Sequence, residues 1–366
     1  MRITLPQPQL LKTLQIVERA VNERSSLPIL SNILLETSEH ELTITATDLD
    51  VGVQCRFPLT PPVESGAITL PARKFTTVVR ELPDELVTLE AKKNHTALVS
   101  CGATSFRIPG LPAEDFPVLP TPQQDAGVVV SQSAMKTLIT KTAHAMSMEE
   151  TRFILNGTLL SAKEGELMVV ATDGRRLALA HTKTEKHNSF PLQGIIPAKT
   201  VRELGRLLQD EEEELTIAPM SDNQMTFRFG AVTVVTRLIE GQFPQYEKVI
   251  PPPAKHRMTC DRQALINAVK RVSLMTTATS QAVVFEIQPD QLVVSKESSE
   301  LGSAREELPI GYAGPPLVIA FNPGFWLEAL KVLEESEVSV ELAGADRPAV
   351  IRQPEFIYLV LPMKVS

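Results

Sequence analysis

One short phrase occurs twice in this chain and decides how the rest of it divides. Residues 169–180 read VVATDGRRLALA and residues 43–54 read TITATDLDVGVQ, so Ala-Thr-Asp recurs about 125 residues apart in an apolar frame. The apolar and β-branched residues predict a strand before each phrase, and the acid with its neighbours predicts a turn after it. Only the second copy carries two arginines, Arg175 and Arg176. The recurrence indicates an internal repeat.

Helical patterns recur with nearly the same period. Residues 8–21, 132–146 and 261–275 have apolar residues at the i, i+3, i+4 and i+7 spacing of an amphipathic helix. A second set of segments runs from a β-rich stretch through a proline into another amphipathic helix, which fits because proline is tolerated in the first turn. These segments are AITLPARKFTTVVREL (67–82), GIIPAKTVRELGRLL (194–208) and LVIAFNPGFWLEALKVL (317–333).

The pattern predicts three repeats of helix, strands, helix, strands. The expected domains are residues 1–125, 126–253 and 254–366, with proline-rich linkers at LPTPQQ and IPPPAKH. The fold class is α+β, because strand runs outnumber helices and several of them read as hairpins.

Composition excludes several classes of protein. The longest apolar runs are too short for a transmembrane helix, and the N-terminus lacks the apolar core of a signal peptide. Three scattered cysteines without a C-x-x-C pair favour the reducing cytoplasm over a disulfide framework or a thiolate metal site. The sequence shows no phosphate-binding loop, dinucleotide-binding, zinc-protease or nucleophile-elbow motif, which favours a binding protein without cofactors.

The charge is unevenly distributed. The net charge of the chain is −8, but six helical segments together carry nine more basic than acidic residues. These segments are residues 9–24, 71–82, 133–146, 197–208, 261–275 and 323–333. A basic helical layer on an acidic body suits a protein that surrounds a polyanion and repels it elsewhere.

Seven strings, in order along the whole chain, resemble the bacterial sliding clamp family, the β subunit of DNA polymerase III. They are LPIL (27–30), LPARKF (70–75), LPAEDFP (111–117), LNG (155–157), ATDGRRLA (171–178), FPQY (243–246) and LVLPM (359–363). The resemblance implies three tandem DNA-clamp domains, with helices lining a central channel and antiparallel sheets on the outside. Two chains would close head to tail into a homodimeric ring.

The resemblance also implies the function and partners. The protein would encircle duplex DNA without reading its sequence and would tether the replicative polymerase, with no catalysis of its own. The implied partners are the DNA polymerase III α subunit, the clamp loader ATPase, and other polymerases and repair proteins that carry a clamp-binding peptide. The implied location is the nucleoid in the cytoplasm, with no membrane contact.

The resemblance also implies which residues form the DNA-facing surface, the dimer contact and the peptide pocket. The implied DNA-facing residues are Arg24, Arg73, Lys74, Arg152 and Lys199. The implied dimer contact pairs Phe106 and Ile108 of one subunit with Leu274 and Met275 of the other. The implied peptide pocket consists of Leu155, Thr172, Gly174, Arg175, Arg176, Leu177, Pro244, Lys248, Val249, Val360, Leu361, Pro362 and Met363. Relatives often have His where this chain has Arg175, and often end in Arg-Leu where it has Lys364-Val365-Ser366, so the charge at the rim should differ.

Two alternatives stay open at this point. Asp48-Leu49-Asp50 is a D-x-D pattern compatible with a metal-dependent enzyme on duplicated domains, although two acids of a turn explain it more simply. A spare or drug-resistant clamp paralogue would have the same motifs as the housekeeping clamp.

Overall fold

The computed structural model describes residues 1–22, 25–120, 127–184 and 192–364. Two compact units are present. The first contains residues Met1–Ser133 and Arg206–Leu238, and the second contains Ala134–Gly205 and Ile239–Ser366. No helix in the described part of the chain has the length and apolarity needed to cross a membrane.

The described residues contain six α-helices, which form where the apolar periodicity predicts them. They are α1 (Gln7–Val17), α2 (Ala72–Glu81), α3 (Gln132–Thr142), α4 (Ala198–Leu207), α5 (Arg262–Val272) and α6 (Pro323–Lys331). The odd-numbered helices each continue into a three-residue 3-10 turn, at Glu18–Ala20, Ala143–Ala145 and Ser273–Met275. The helix ends thus repeat with the same period as the sequence.

Two of the prolines that mark helices in the sequence lie at helix starts in the structure. Pro71 is the residue that precedes α2, while Pro323 is inside the first turn of α6, where its missing N–H costs nothing. The Asn322 side chain accepts a hydrogen bond from Gly324 N at 2.9 Å, and Asp261 accepts one from Ala264 N at 2.6 Å at the start of α5. Such caps satisfy amides that have no partner within the helix.

Twenty-five strands are found in the described residues. They are β1 (Arg2–Pro6), β2 (Asn32–Thr37), β3 (Glu41–Thr47), β4 (Val51–Pro58), β5 (Gly66–Pro71), β6 (Leu86–Ala91), β7 (Thr96–Cys101), β8 (Thr104–Pro109), β9 (Val128–Ser131), β10 (Gly157–Lys163), β11 (Glu166–Thr172), β12 (Arg176–Lys183), β13 (Leu192–Pro197), β14 (Glu214–Met220), β15 (Gln224–Phe229), β16 (Val232–Arg237), β17 (His256–Asp261), β18 (Val283–Gln288), β19 (Gln291–Ser298), β20 (Gly302–Pro309), β21 (Gly311–Tyr312), β22 (Leu317–Phe321), β23 (Glu337–Leu342), β24 (Ala349–Gln353) and β25 (Phe356–Val360).

The first unit contains two antiparallel sheets. One has the order β1-β6-β7-β8, and the other has the order β5-β2-β3-β4-β16-β15-β14-β9. The second sheet is continuous because β4 pairs with β16, with Val51 opposite Thr236 and Gly52 opposite Val235. Strands from the first repeat and from the second half of the next one therefore share a sheet.

The second unit repeats this arrangement. Its sheets have the orders β13-β10-β11-β12-β25-β24-β23-β17-β21 and β20-β19-β18-β22. Here β12 pairs with β25, which places Arg176 opposite Val360 and Leu177 opposite Leu359. Trp326 of α6 packs on Phe285 and Phe321, and the three ring centres lie 5.3–5.4 Å apart.

Candidate functional site

The two copies of the repeated phrase form the same turn. In the second copy, the Thr172 hydroxyl donates to Arg176 O at 2.6 Å and accepts from Gly174 N at 3.1 Å. In the first copy, the Thr47 hydroxyl donates to Val51 O at 3.1 Å and accepts from Leu49 N at 3.0 Å. The two turns share this hydrogen-bond geometry, which explains why both copies of the phrase contain threonine.

The aspartate of each copy caps its own turn. Asp173 Oδ1 accepts from the amides of Arg175 and Arg176 at 2.8 and 3.0 Å. Asp48 Oδ1 accepts from the amides of Asp50 and Val51 at 3.1 and 2.8 Å. Turn formation therefore accounts for Asp48, and the described residues contain no group of three or more His, Cys, Asp or Glu placed to hold a metal ion.

Both turns need a left-handed residue at their third position. Gly174 has φ 84° and Leu49 has φ 80°. A side chain at position 174 would also meet Arg152, because its β-carbon would lie 3.0 Å from Arg152 Nη1. Glycine at this position therefore both permits the backbone angle and makes room for Arg152.

Arg176 is buried and connects the second turn to α6. Its side chain is 8% exposed, Nε donates to Asp173 Oδ2 at 3.1 Å, and Nη1 donates to Glu328. The guanidinium also lies over the Phe325 ring, 4.2 Å from its centre. Arg175, in contrast, is 65% exposed and lies 4.0 Å from a carboxylate oxygen of Glu149. The two arginines therefore differ in role. Arg176 holds the turn in place, whereas Arg175 adds a positive charge to the surface.

An open groove of about 190 Å³ lies beside this turn, within the second compact unit. Its wall is mostly apolar, and the groove lies against a buried cluster that includes Leu177, Leu359 and Tyr246. The lining residues are Leu155, Thr172, Gly174, Arg175, Arg176, Leu177, Pro244, Gln245, Tyr246, Val249, Leu359 and Leu361. Concave apolar sites with a few polar groups are typical ligand sites.

Nine of the thirteen residues predicted for the pocket line this groove. The structure does not bring Lys248, Val360, Pro362 and Met363 into the lining. Val360 is buried next to Leu359 on β25, and neighbouring strand residues point to opposite faces, so Leu359 faces the groove instead. The amide of Met363 donates to Ala320 O at 2.7 Å, which ties the chain end to β22.

Sequence reasoning missed Gln245, Tyr246 and Leu359. Burial raises the pKa of Tyr246 to about 12, so the phenol is neutral, and its hydroxyl lies 3.6 Å from the sulfur of Met168. The alternation of β25 predicts that only one of Leu359 and Val360 faces the groove, but the register with β12 decides which one.

The residues predicted to face DNA have differing environments. Arg73 and Lys74 are exposed in the first turn of α2, and Lys199 is partly exposed in the first turn of α4. Arg152 lies against the groove turn, where Nη1 donates to Asp173 O at 2.8 Å and Nε lies 3.2 Å from Glu149. Arg24 lies outside the described residues.

The residues predicted for the dimer contact lie at the surface with one exception. Phe106 and Leu274 are exposed, and Met275 is partly exposed. Ile108 is buried within its own chain. Phe106 and Ile108 are on β8, an edge strand of the four-stranded sheet of the first unit. An edge strand leaves backbone donors and acceptors open for pairing with another chain.

Three models of one protein family match the chain in order. Residues 1–120 match the N-terminal domain of the DNA polymerase III beta subunit, residues 129–245 match its central domain, and residues 247–364 match its C-terminal domain. The three α+β repeats are thus tandem DNA-clamp domains.

Full-length relatives agree with these matches. The beta sliding clamp of Pseudomonas putida is 32% identical, and the alignment covers 100% of both chains. That of Bacillus subtilis is 30% identical, again with 100% of both chains covered. A crystal structure of the Pseudomonas aeruginosa sliding clamp bound to griselimycin has a TM-score of 0.94, 32% identity and full coverage of both chains. The chain belongs to the DNA polymerase III beta subunit family, whose members are DNA sliding clamps.

Proposed function

We propose that two copies of this chain close head to tail into a ring that encircles duplex DNA and tethers the replicative polymerase to it. The ring is a processivity factor without catalysis or cofactor, and it acts at the nucleoid in the cytoplasm. Membership of the clamp family carries this proposal. The excess of basic residues on the helices supports it, because sliding needs attraction to phosphates without readout of bases.

The dimer contact proposed here uses Phe106 and Ile108 of one subunit and Leu274 and Met275 of the other. The exposed apolar side chains of Phe106 and Leu274, and the open edge of β8, support this assignment. Mass measurement in solution tests it, since the proposal requires about twice the 40.2 kDa of one chain. Charge introduced by Leu274→Asp should give the mass of a single chain.

Enclosure of DNA has a distinctive test. A ring loaded onto closed circular duplex by the clamp loader should stay bound in salt that removes ordinary phosphate contacts, whose affinity falls steeply with salt concentration. It should leave after one double-strand cut. Equal, salt-sensitive loss from circular and linear DNA would contradict encirclement.

The groove beside Leu177 is the proposed binding site for partner peptides. Its apolar wall suits one or two large apolar side chains, and the polar groups of the Thr172–Arg176 turn suit a glutamine or the peptide backbone. Burial of two such side chains contributes ~3–6 kcal/mol before ordering costs, so a free peptide should bind with roughly micromolar affinity. Polymerase III α, the clamp loader and other polymerases and repair proteins would then exchange on one ring.

A pair of exposed positions tests the groove without disturbing the core. Leu361 lines the groove and is 42% exposed, whereas Val318 on β22 is 57% exposed and does not line it. Leu361→Asp should weaken the binding of an acetylated pentapeptide with Gln at one end and Leu-Phe at the other by ~10-fold or more, because a charge then faces apolar groups. Val318→Asp should leave the affinity unchanged. Equal affinities for the two variants, measured by isothermal titration, would place the peptide site elsewhere.

A further inference from the structure

The first copy of the repeated turn has the same surroundings as the second. Asp50 O accepts from Arg237 N at 2.9 Å, just as Arg175 O accepts from Leu361 N at 2.9 Å. The register also matches, since Gly52 pairs with Val235 where Leu177 pairs with Leu359. The turn and the strand pairing beside the peptide groove are therefore present twice, once in each compact unit. We call each of these two arrangements a frame.

The wall residues of the two frames differ, and the largest loss of side-chain volume is at the position where the second copy has Leu177 and the first has Gly52. Gly52 is inside β4 and is not among the residues with positive φ, so its backbone does not require glycine. A β-carbon added there would lie 2.5 Å from Cδ2 and 2.7 Å from Cδ1 of Leu119. Glycine inside a strand often marks the close approach of another group. Here the approaching group is the side chain of Leu119.

The segments that follow the two frames differ in structure. Phe116 and Phe243 are both buried, and each is followed by proline. After Phe243 and Pro244, the second copy forms a 3-10 turn at Tyr246–Lys248, and the groove beside this turn is open. The first copy has no helical turn over residues 117–120, and Leu119 lies on Gly52.

We propose that the first repeat contains a second peptide groove that the chain itself closes with Leu119. The side chain of Leu119 occupies the space beside Gly52, so each chain offers one groove to external peptides rather than two. This inference rests on the peptide-binding function proposed for the second copy. It assigns Leu119 and Gly52 a role in setting the number of partner sites per ring.

A gain of binding tests the inference. In the Leu361→Asp background, where the acetylated Gln-to-Leu-Phe pentapeptide should bind the second copy at least ~10-fold more weakly, Leu119→Ala should add a site at the first copy, so that titration to saturation gives two pentapeptides per chain instead of one. The affinity should be ~10–100-fold weaker than that of the wild-type groove, because no leucine replaces Leu177 in the wall. Val118→Ala is the matched control, since Val118 is the preceding residue and is 92% exposed, and it should restore nothing. A folded Leu119→Ala/Leu361→Asp protein that binds no more than one pentapeptide per chain would overturn the proposal.

The same experiment separates the two hypotheses. If wild-type protein binds one pentapeptide per chain and the folded double variant gains no second site, only the self-closed groove is wrong. If wild-type protein does not bind the pentapeptide, the function proposed for the second copy is wrong.

A second variant covers the case in which Leu119→Ala does not fold. Gly52→Ala should push Leu119 off β4, because Cδ2 must move from a 2.5 Å contact and the leucine side chain is flexible. Titration of Gly52→Ala/Leu361→Asp should then show an additional pentapeptide site at the first copy, and Gly52→Ala alone should leave binding at the second copy unchanged. A folded Gly52→Ala/Leu361→Asp protein that gains no second site would overturn the proposal.

Discussion

The guanidinium carbon of Arg176 lies 4.2 Å from the centre of the Phe325 ring, so a residue of the repeated turn is held against α6. Asp173 and Glu328 bind the same guanidinium from two sides. The turn that shapes the groove is thus fixed by a helix more than 140 residues further along the chain. Loss of this arginine should affect stability as well as the groove.

Replacement of Arg176 by alanine should lower the free energy of unfolding by ~2–4 kcal/mol, because it leaves the Asp173 carboxylate without its charge partner in a poorly solvated place. Arg175→Ala removes the same charge from a side chain that is 65% exposed, and it should change stability by no more than about 0.5 kcal/mol. Urea unfolding of both variants measures the difference. Equal losses would show that the buried contacts of Arg176 add nothing.

His144 should make the protein sensitive to acid. Burial, reinforced by the positive charge of Arg176, lowers the pKa of His144 from 6.5 to about 4. Between these values the unfolded chain takes up a proton that the folded protein does not, so the free energy of unfolding falls as the pH falls through this range. A pKa difference of this size lowers the free energy of unfolding by ~3 kcal/mol, and this loss is complete below pH 4.

The variant His144→Leu isolates this contribution. Carboxylates titrate in the same range in both proteins, so only the difference between variant and wild type reports on His144. Between pH 7 and pH 4.5, the free energy of unfolding should fall by about 2 kcal/mol more in the wild type than in the variant. Parallel pH profiles would contradict a neutral buried His144.

The helices and the repeated turn could be predicted from the sequence because both depend on residues close together in the chain. The i, i+3, i+4 spacing places α1, α3 and α5 almost correctly, and the first turn of α6 contains the proline that signalled it. Thr172 and Asp173 bond to amides and carbonyls within four residues. Local chemistry therefore decides these features.

Strand pairing across repeats could not be predicted in this way. The pairing of β12 with β25 joins residues about 180 positions apart, and no local pattern encodes that partner or its register. The register alone decides that Leu359 lines the groove and Val360 does not. For the same reason the sequence did not reveal that Leu119 lies on Gly52, or that Arg152 binds Asp173 O.

The cysteines should report on local opening. Burial raises the pKa of Cys55 and of Cys260 to about 12, so at pH 8 both are almost entirely in the unreactive thiol form. Iodoacetamide should label native protein at these positions at least ~100-fold more slowly than protein in urea. Peptide mass analysis gives the rates for each site. Labelling of Cys55 at comparable rates in the two conditions would show that β4 opens readily.

The last prediction concerns the first turn of α2. Arg73→Glu with Lys74→Glu should weaken direct binding to duplex DNA by ~10-fold at low salt and reduce the slope of log K against log salt by about 2, one for each lost phosphate contact. The added acids are near a helix N-terminus, where negative charge is favourable, so unfolding should not explain the loss. Lys92→Glu with Lys163→Glu is the control, because it changes the net charge equally at exposed positions outside the helices. Fluorescence anisotropy with a short duplex measures both proteins. If the two double variants lose the same affinity, the effect comes from net charge and the assignment of α2 to the DNA-facing surface is wrong.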